Sequence, residues 1–183
     1  MTAPTARPMT AEELLSYPAR NKRTELVRGR LMVREPAGYE HGRVAAAMLV
    51  RIASHVQAHA LGTVLAAETG FTLERGPDTV RAPDVAFIRT ARAPSRGTRG
   101  FPEMAPDLAV EVRSPGDRNA EVADKVTDWL AAGTALVWVV NPAARTVVVH
   151  EPGAAARTLT AHDTLDGGEV LPGFAARVDE LFA

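Results

Sequence analysis

Apolar side chains recur at two different intervals along this chain, and the intervals divide it into helices and strands. Val44, Met48, Ile52 and Val56 stand four residues apart, which predicts a helix over His41 to Ala60, ended at Leu61-Gly62. Val122, Val126, Trp129 and Leu130 make a second stripe and predict a helix from Asn119 to Ala132, closed by Gly133. Thr10, three residues before Glu13, forms a capping box, so "AEELLSY" reads as a short helix stopped by Pro18. Alternation with period two predicts strands in "TVLAAETGFTLE", "RAPDVAFIR" and "PDLAVEVRS". Paired apolar bursts predict two hairpins, one turning at Arg28-Gly29 and one joining "ALVWVV" to "TVVVHE" through "NPAAR". The tail, "TLDGGEVLPGFAARVDELFA", adds a short strand and a brief helix. This order predicts an α/β or α+β arrangement around one mixed sheet, in a single domain spanning residues 1–183.

Two of these strands carry a carboxylate among apolar residues. Asp84 precedes the apolar run of "PDVAFI", and Glu111 in "DLAVEVRSP" shares a face with Ala109 and Arg113, opposite Leu108, Val110 and Val112. An unpaired carboxylate in an apolar core costs on the order of several kcal/mol, so something positive has to meet each one. If the two strands are neighbours and the side chains share a face, their charges repel. A hard divalent cation would compensate both, and Mg²⁺ is usually held by one or two carboxylates together with water and phosphate oxygens. Each carboxylate could instead end in water or pair with an arginine such as Arg113. Lys125 flanks the stripe of the second helix, one turn before Trp129, while Asp124 and Asp128 point away. From there its charge could orient water or steady a phosphoryl transition state, or its stem could lie over Trp129 with the head in solvent.

Composition narrows the classes. The 183 residues are 46% hydrophobic and 23% charged with a net charge of −1, which argues against coating nucleic acid through bulk charge. Zero cysteines exclude disulfides, thiolate metal sites and cysteine nucleophiles. No apolar stretch approaches the roughly 20 residues of a membrane span. "MTAPTARPMTAEELL" has no apolar signal core, so the cytoplasm is the expected compartment. Arg89, Arg92, Arg96 and Arg99 make one basic loop without an acid, read as solvated surface that could also hold phosphates. His55 and His59 stand four apart on a helix but lack a third ligand, and read as packing residues. Ser114 lies in a strand-exit turn outside any G-x-S-x-G frame.

An aspartate, a glutamate one strand later and a nearby base make a recurrent nuclease layout, and longer blocks accompany it here. In order they are "MTAEELLSYP", "RTELVRGRLMV", "HGRVAAAML", "VRAPDVAFIR", "PDLAVEVRSPGDRNAEVADKVTDWLAAGTALVWVVNP" and "LPGFAARVDELF". Together they resemble the Uma2 restriction-endonuclease family, a bacterial branch of the PD-(D/E)xK nuclease superfamily, over almost the whole chain. The resemblance implies a restriction-endonuclease-like core, a mixed central sheet flanked by helices, with an N-terminal helix–hairpin extension. It also implies Mg²⁺ or Mn²⁺ and phosphodiester hydrolysis. Residue by residue, Asp84 and Glu111 become metal ligands with the Val112 carbonyl as a third, and Lys125 takes the role of the superfamily's lysine. The general motif places that lysine two residues after the glutamate, where this chain has Arg113, which could hold phosphate but cannot act as a base. Superfamily members often carry a glutamate on the first core helix. Here His41 to Ala60 has no acid, so Glu25 or Glu68 would supply any extra carboxylate, with Glu68 on the first core strand the better placed. His41 coincides with a family histidine at a helix start, and Asn141 replaces a family aspartate at a turn.

The expected function is therefore metal-dependent hydrolysis of DNA by an endonuclease. A homodimer is expected, with the apolar tail and the hairpin after Val137 as its surface. The alternative is a catalytically inactive nuclease fold kept as a nucleic-acid-binding or oligomerisation module.

Overall fold

The computed structural model describes residues 7–19 and 22–183; the first six residues, part of the stretch read for a signal, lie outside the described residues. Helix α1 (Ala11–Leu15) is followed by β1 (Arg23–Val27), β2 (Arg30–Arg34) and the long α2 (Tyr39–Ala58). Then come β3 (Gly62–Ala66), β4 (Phe71–Glu74), β5 (Thr79–Arg81), β6 (Val85–Arg89) and β7 (Leu108–Val112). Helix α3 (Asn119–Ala131) leads to β8 (Leu136–Asn141), β9 (Thr146–His150) and β10 (Arg157–Leu159). A ribbon of β11 (Thr164–Asp166) and β12 (Ala175–Arg177) and a 3₁₀ turn over Asp179–Phe182 close the chain. No helix among the described residues is long and apolar enough to cross a membrane.

The expected mixed central sheet is present, but not every strand joins it. Six of them lie in the order β10-β9-β8-β7-β6-β3, and four in a separate sheet, β2-β1-β5-β4. The six-stranded sheet is mixed because β7 and β8 pair in parallel, and α3 is the crossover that a parallel pair requires. The stretches read as single strands break where the chain changes sheet. "TVLAAETGFTLE" divides into β3 and β4 at a turn where Glu68 has φ of 70°. "RAPDVAFIR" divides at Ala82-Pro83-Asp84, where Pro83 has no amide to continue a ladder. At the β1–β2 turn Arg28 and Gly29 both have positive φ, as a two-residue hairpin requires, and a Cβ on Gly29 would lie 2.3 Å from Pro8 Cβ.

Alternation along the strands sorts the core into two faces. Val85, Phe87, Leu108, Val110 and Val112 face α2, where Val44, Met48, Ile52 and Val56 meet them. Ala86, Ile88, Ala109, Val137 and Val139 face α3, packing against Val126 and Trp129. Leu181 and Phe182 of the tail are buried in the first of these clusters, with Val147 and Val149 of the hairpin. The apolar surface expected to serve self-association is thus largely consumed within the chain.

Two further polar clamps fix the frame. Asp107 is buried and receives Arg92 Nη1 at 2.9 Å and the Arg89 amide at 2.9 Å, so half of the basic loop serves to hold β6 against the start of β7. Asp78 accepts the Ala11 amide of α1 at 2.9 Å and pairs with Arg75 at 2.7 Å. Burial pushes the Asp78 carboxyl up, but the Ala11 and Gly76 amides and Arg75 outweigh it and hold its pKa below the usual aspartate value.

Ile52 is fully buried and Val50 is 62% exposed on the same helix. Ile52→Ala should cost about 3 kcal/mol in urea denaturation, and Val50→Ala about 0.5 kcal/mol or less. A carboxyl with a lowered folded pKa contributes stability above its ordinary value, and that contribution is lost as pH falls through the lowered one. Asp78→Asn should therefore unfold at lower urea than the parent at pH 7, with the two midpoints converging as pH falls below the ordinary aspartate value.

Candidate active site

Asp84 sits where the chain crosses from the four-stranded to the six-stranded sheet, and it is buried. Three donors meet it from three elements. The Val112 amide of β7 donates to Oδ2 at 2.7 Å, His41 Nε2 of α2 lies 3.2 Å from the same oxygen, and Arg23 Nη2 of β1 donates to Oδ1 at 2.8 Å. Burial raises the Asp84 pKa, but His41, Arg23 and the Val112 amide together hold it below the ordinary value. The carboxylate is ionised and anchored at neutral pH.

Glu111 points from β7 towards α3, as the strand alternation requires. Lys125 Nζ donates to Oε2 at 2.9 Å and Trp129 Nε1 donates to Oε1 at 2.9 Å. Lys125 does not reach out to solvent; its ammonium lies between Glu111 and Glu25, 3.2 Å from Glu25 Oε1. Glu25 in turn accepts the Ala82 amide at 3.1 Å and pairs with Arg81 Nη1 at 3.1 Å. Arg81 completes the chain by meeting Asp128 at 2.6 Å. The result is a buried run of alternating charge, Glu111–Lys125–Glu25–Arg81–Asp128, joining both sheets through α3.

The titration of these groups follows from that order. Burial would lower the Lys125 pKa, but Glu111 and Glu25 outweigh it and raise it well above the usual lysine value. Burial would raise Glu25, but Lys125, Arg81 and the Ala82 amide overcome it and lower its pKa. Glu111 goes the other way: burial, with the charges of Asp84 and Glu25, outweighs Lys125 and raises it. Glu111 is the carboxylate in this cluster that its surroundings leave short of positive charge.

Asp84, Glu111, Val112, Arg113, His41 and Lys125 all line one cleft of about 460 Å³. Its opposing walls are the β2–α2 loop and the β7–α3 loop, linked by Arg34, which lies 3.6 Å from Asp117 and 3.3 Å from Glu121. Arg113 is held within its loop by Asn119 Oδ1 at 2.8 Å. Glu25 stands behind Lys125. Glu68 does not lie on a core strand as expected; it occupies an exposed turn after β3 and lines a neighbouring cavity. Asp128 does not point away, and its place was legible: it follows Lys125 by three residues, on the same flank of α3. Arg23 and Arg81 were missed because each lies in a short strand where a charged residue reads as exposed. His55 and His59 stack with ring centroids 4.3 Å apart, and His55 Nε2 contacts the Pro172 carbonyl at 3.0 Å.

Among the described residues there is no group of three or more histidine, aspartate or glutamate side chains arranged to hold a metal ion. The cleft offers two buried carboxylates instead, Asp84 and Glu111. A carboxylate has roughly four acceptor positions, of which Asp84 uses three and Glu111 two. Oxygen donors with spare capacity, one of them short of positive charge, fit a hard divalent ion that keeps most of its waters.

Known proteins were compared with this chain at three levels. Residues 11–179 match the model of the Uma2 family, described as "Putative restriction endonuclease". A comparison with curated proteins returned no match. Among solved structures, a crystal structure of a "putative nuclease belonging to DUF820" from Anabaena variabilis superposes with a TM-score of 0.83. It is 21% identical and covers 96% of this chain and 98% of its own, a likeness of fold. With the family match running from α1 to the closing 3₁₀ turn, the chain belongs to the Uma2 family.

Proposed function

We propose that this protein is a metal-dependent endonuclease that hydrolyses phosphodiester bonds in DNA. The observation that carries the reading is the pair of buried carboxylates, Asp84 and Glu111, opening on one cleft beside Lys125. Asp84, Glu111 and the Val112 carbonyl would hold Mg²⁺ or Mn²⁺. Such an ion would supply Lewis-acid polarisation of the phosphate and of the attacking water. In the reaction water oxygen bonds to phosphorus as the water gives up a proton, the bond to the leaving deoxyribose oxygen breaks, and that oxygen takes up a proton.

The chain's own residues have separable parts in this. Lys125 stays protonated at neutral pH because two carboxylates hold it, so it acts as a fixed positive charge near the phosphate rather than as a proton acceptor. Glu25 positions that charge. Arg113 faces the cleft from the loop after β7, where it would contact a phosphate oxygen. Arg23 and His41 orient Asp84. One observation favours the inactive-module reading: the charged groups of the site already have protein partners, as a purely structural network would.

Plasmid nicking with Mg²⁺ or Mn²⁺ should fall about a hundredfold or more in Asp84→Ala, which removes an oxygen that would hold the ion, and in Lys125→Ala, which removes a positive charge beside the phosphate. Nicking by a clean preparation that survives both changes would exclude this site. Mn²⁺ at about a hundred times its Kd should stabilise the parent by about 2.7 kcal/mol. Asp84→Asn should show no such shift in a thermal melt.

A further inference from the structure

The cleft does not end at its own walls. Arg23, Arg34 and Lys125 also line a second cavity of about 210 Å³, whose other side carries Leu15, Tyr17 and Phe101. In the opposite direction His41 and Arg113 are shared with a third cavity of about 280 Å³, which reaches the β8–β9 turn at Pro142. The three cavities adjoin through these residues, and we read them as segments of one groove with Asp84 and Glu111 in the middle one.

Exposed apolar side chains follow the same path. Among the described residues the large ones are Leu15 (55% exposed), Tyr17 (38%), Val33 (50%), Tyr39 (86%) and Val50 (62%). Leu15 and Tyr17 line the second cavity, and Val33 lines the cleft. Tyr39 and Val50 of α2 are outside these linings. Single exposed apolar residues need no explanation, but three of five along one groove do. Phe101 adds a half-buried ring, which Gly70 admits: a Cβ there would lie 2.6 Å from Phe101 Cδ1.

A groove that alternates cations with exposed aromatic and aliphatic side chains suits a strand whose bases are out of the stack. A duplex keeps its base faces covered and is bound mainly through phosphates, which favours a strongly basic surface. This chain has a net charge of −1, and Arg23, Arg34 and Lys125 are each committed to carboxylates. We propose that the groove takes unpaired DNA, with the reacting phosphate in the cleft and an adjacent base against Leu15, Tyr17 and Phe101 in the second cavity. This rests on the phosphodiesterase reading and specifies its substrate.

Fluorescence anisotropy with a labelled 12-nucleotide strand, alone or annealed to its complement, tests it in Ca²⁺ with the full chain. The parent should bind the single strand about tenfold more tightly than the duplex. Leu15→Ala with Tyr17→Ala should weaken single-strand binding about tenfold and leave duplex binding unchanged, since stacking on one aromatic contributes on that order. Both side chains are exposed, and an unchanged thermal midpoint will establish that the variant is folded. Equal or tighter duplex binding, or full single-strand affinity in the folded double variant, would overturn the inference and leave the nuclease reading standing. Binding of neither form would overturn both. Should the double variant unfold, Tyr17→Ser alone makes the same comparison.

Discussion

Burial of like charge is the constraint around which this molecule is arranged. Glu25, Asp84, Glu111 and Asp128 are largely withdrawn from water within a small volume, and removing the partner of one such group costs about 3–5 kcal/mol. The answer is to bring a cation to each from a different element: Arg23 from β1, Arg81 from β5 and Lys125 from α3. That requirement explains why the four-stranded sheet lies against the helix–sheet core. The small sheet contributes little to the main apolar clusters, but it carries Arg23, Glu25 and Arg81 to the place where β7 and α3 need them.

Much of this was legible in the sequence, for physical reasons that differ from residue to residue. The four-residue stripe of α2 and the capping box of α1 are local patterns, and local patterns survive folding. Glu111 and Lys125 were legible because they lie on consecutive elements whose periodicities fix their faces. Chain breaks at Glu68 and Pro83 were not, since a strand that changes sheet keeps its alternation across the break. Arg81 escaped for a related reason: a charge in a short strand reads as solvated unless its partners are known, and these come from β1 and α3.

The electrostatics also separate stability from chemistry within one cluster. Glu25 and Asp84 are better off ionised in the folded chain than in water, so they add to the frame. Glu111 is worse off, because burial and the neighbouring Asp84 and Glu25 disfavour its charge beside the cleft. A group disfavoured in this way within an otherwise compensated network is where an added positive charge gains most.

The crossing at Ala82-Pro83-Asp84 sets a tolerance for chain length. Ala82 is bonded to Glu25 on one side and Asp84 to Val112 on the other, so these three residues are taut between two sheets. A single inserted residue there would turn the carboxylate of Asp84 away from β7 and leave Arg23 facing nothing. The loop after β6 is different: Arg89 and Arg92 at its start are tied to Asp107 at its end, Pro102 to Ala105 are anchored to β4 and the core, and the exposed residues 95–99 between can lengthen or shorten without disturbing either strand. The fold thus holds a rigid span and a free one on either side of the same five-residue strand.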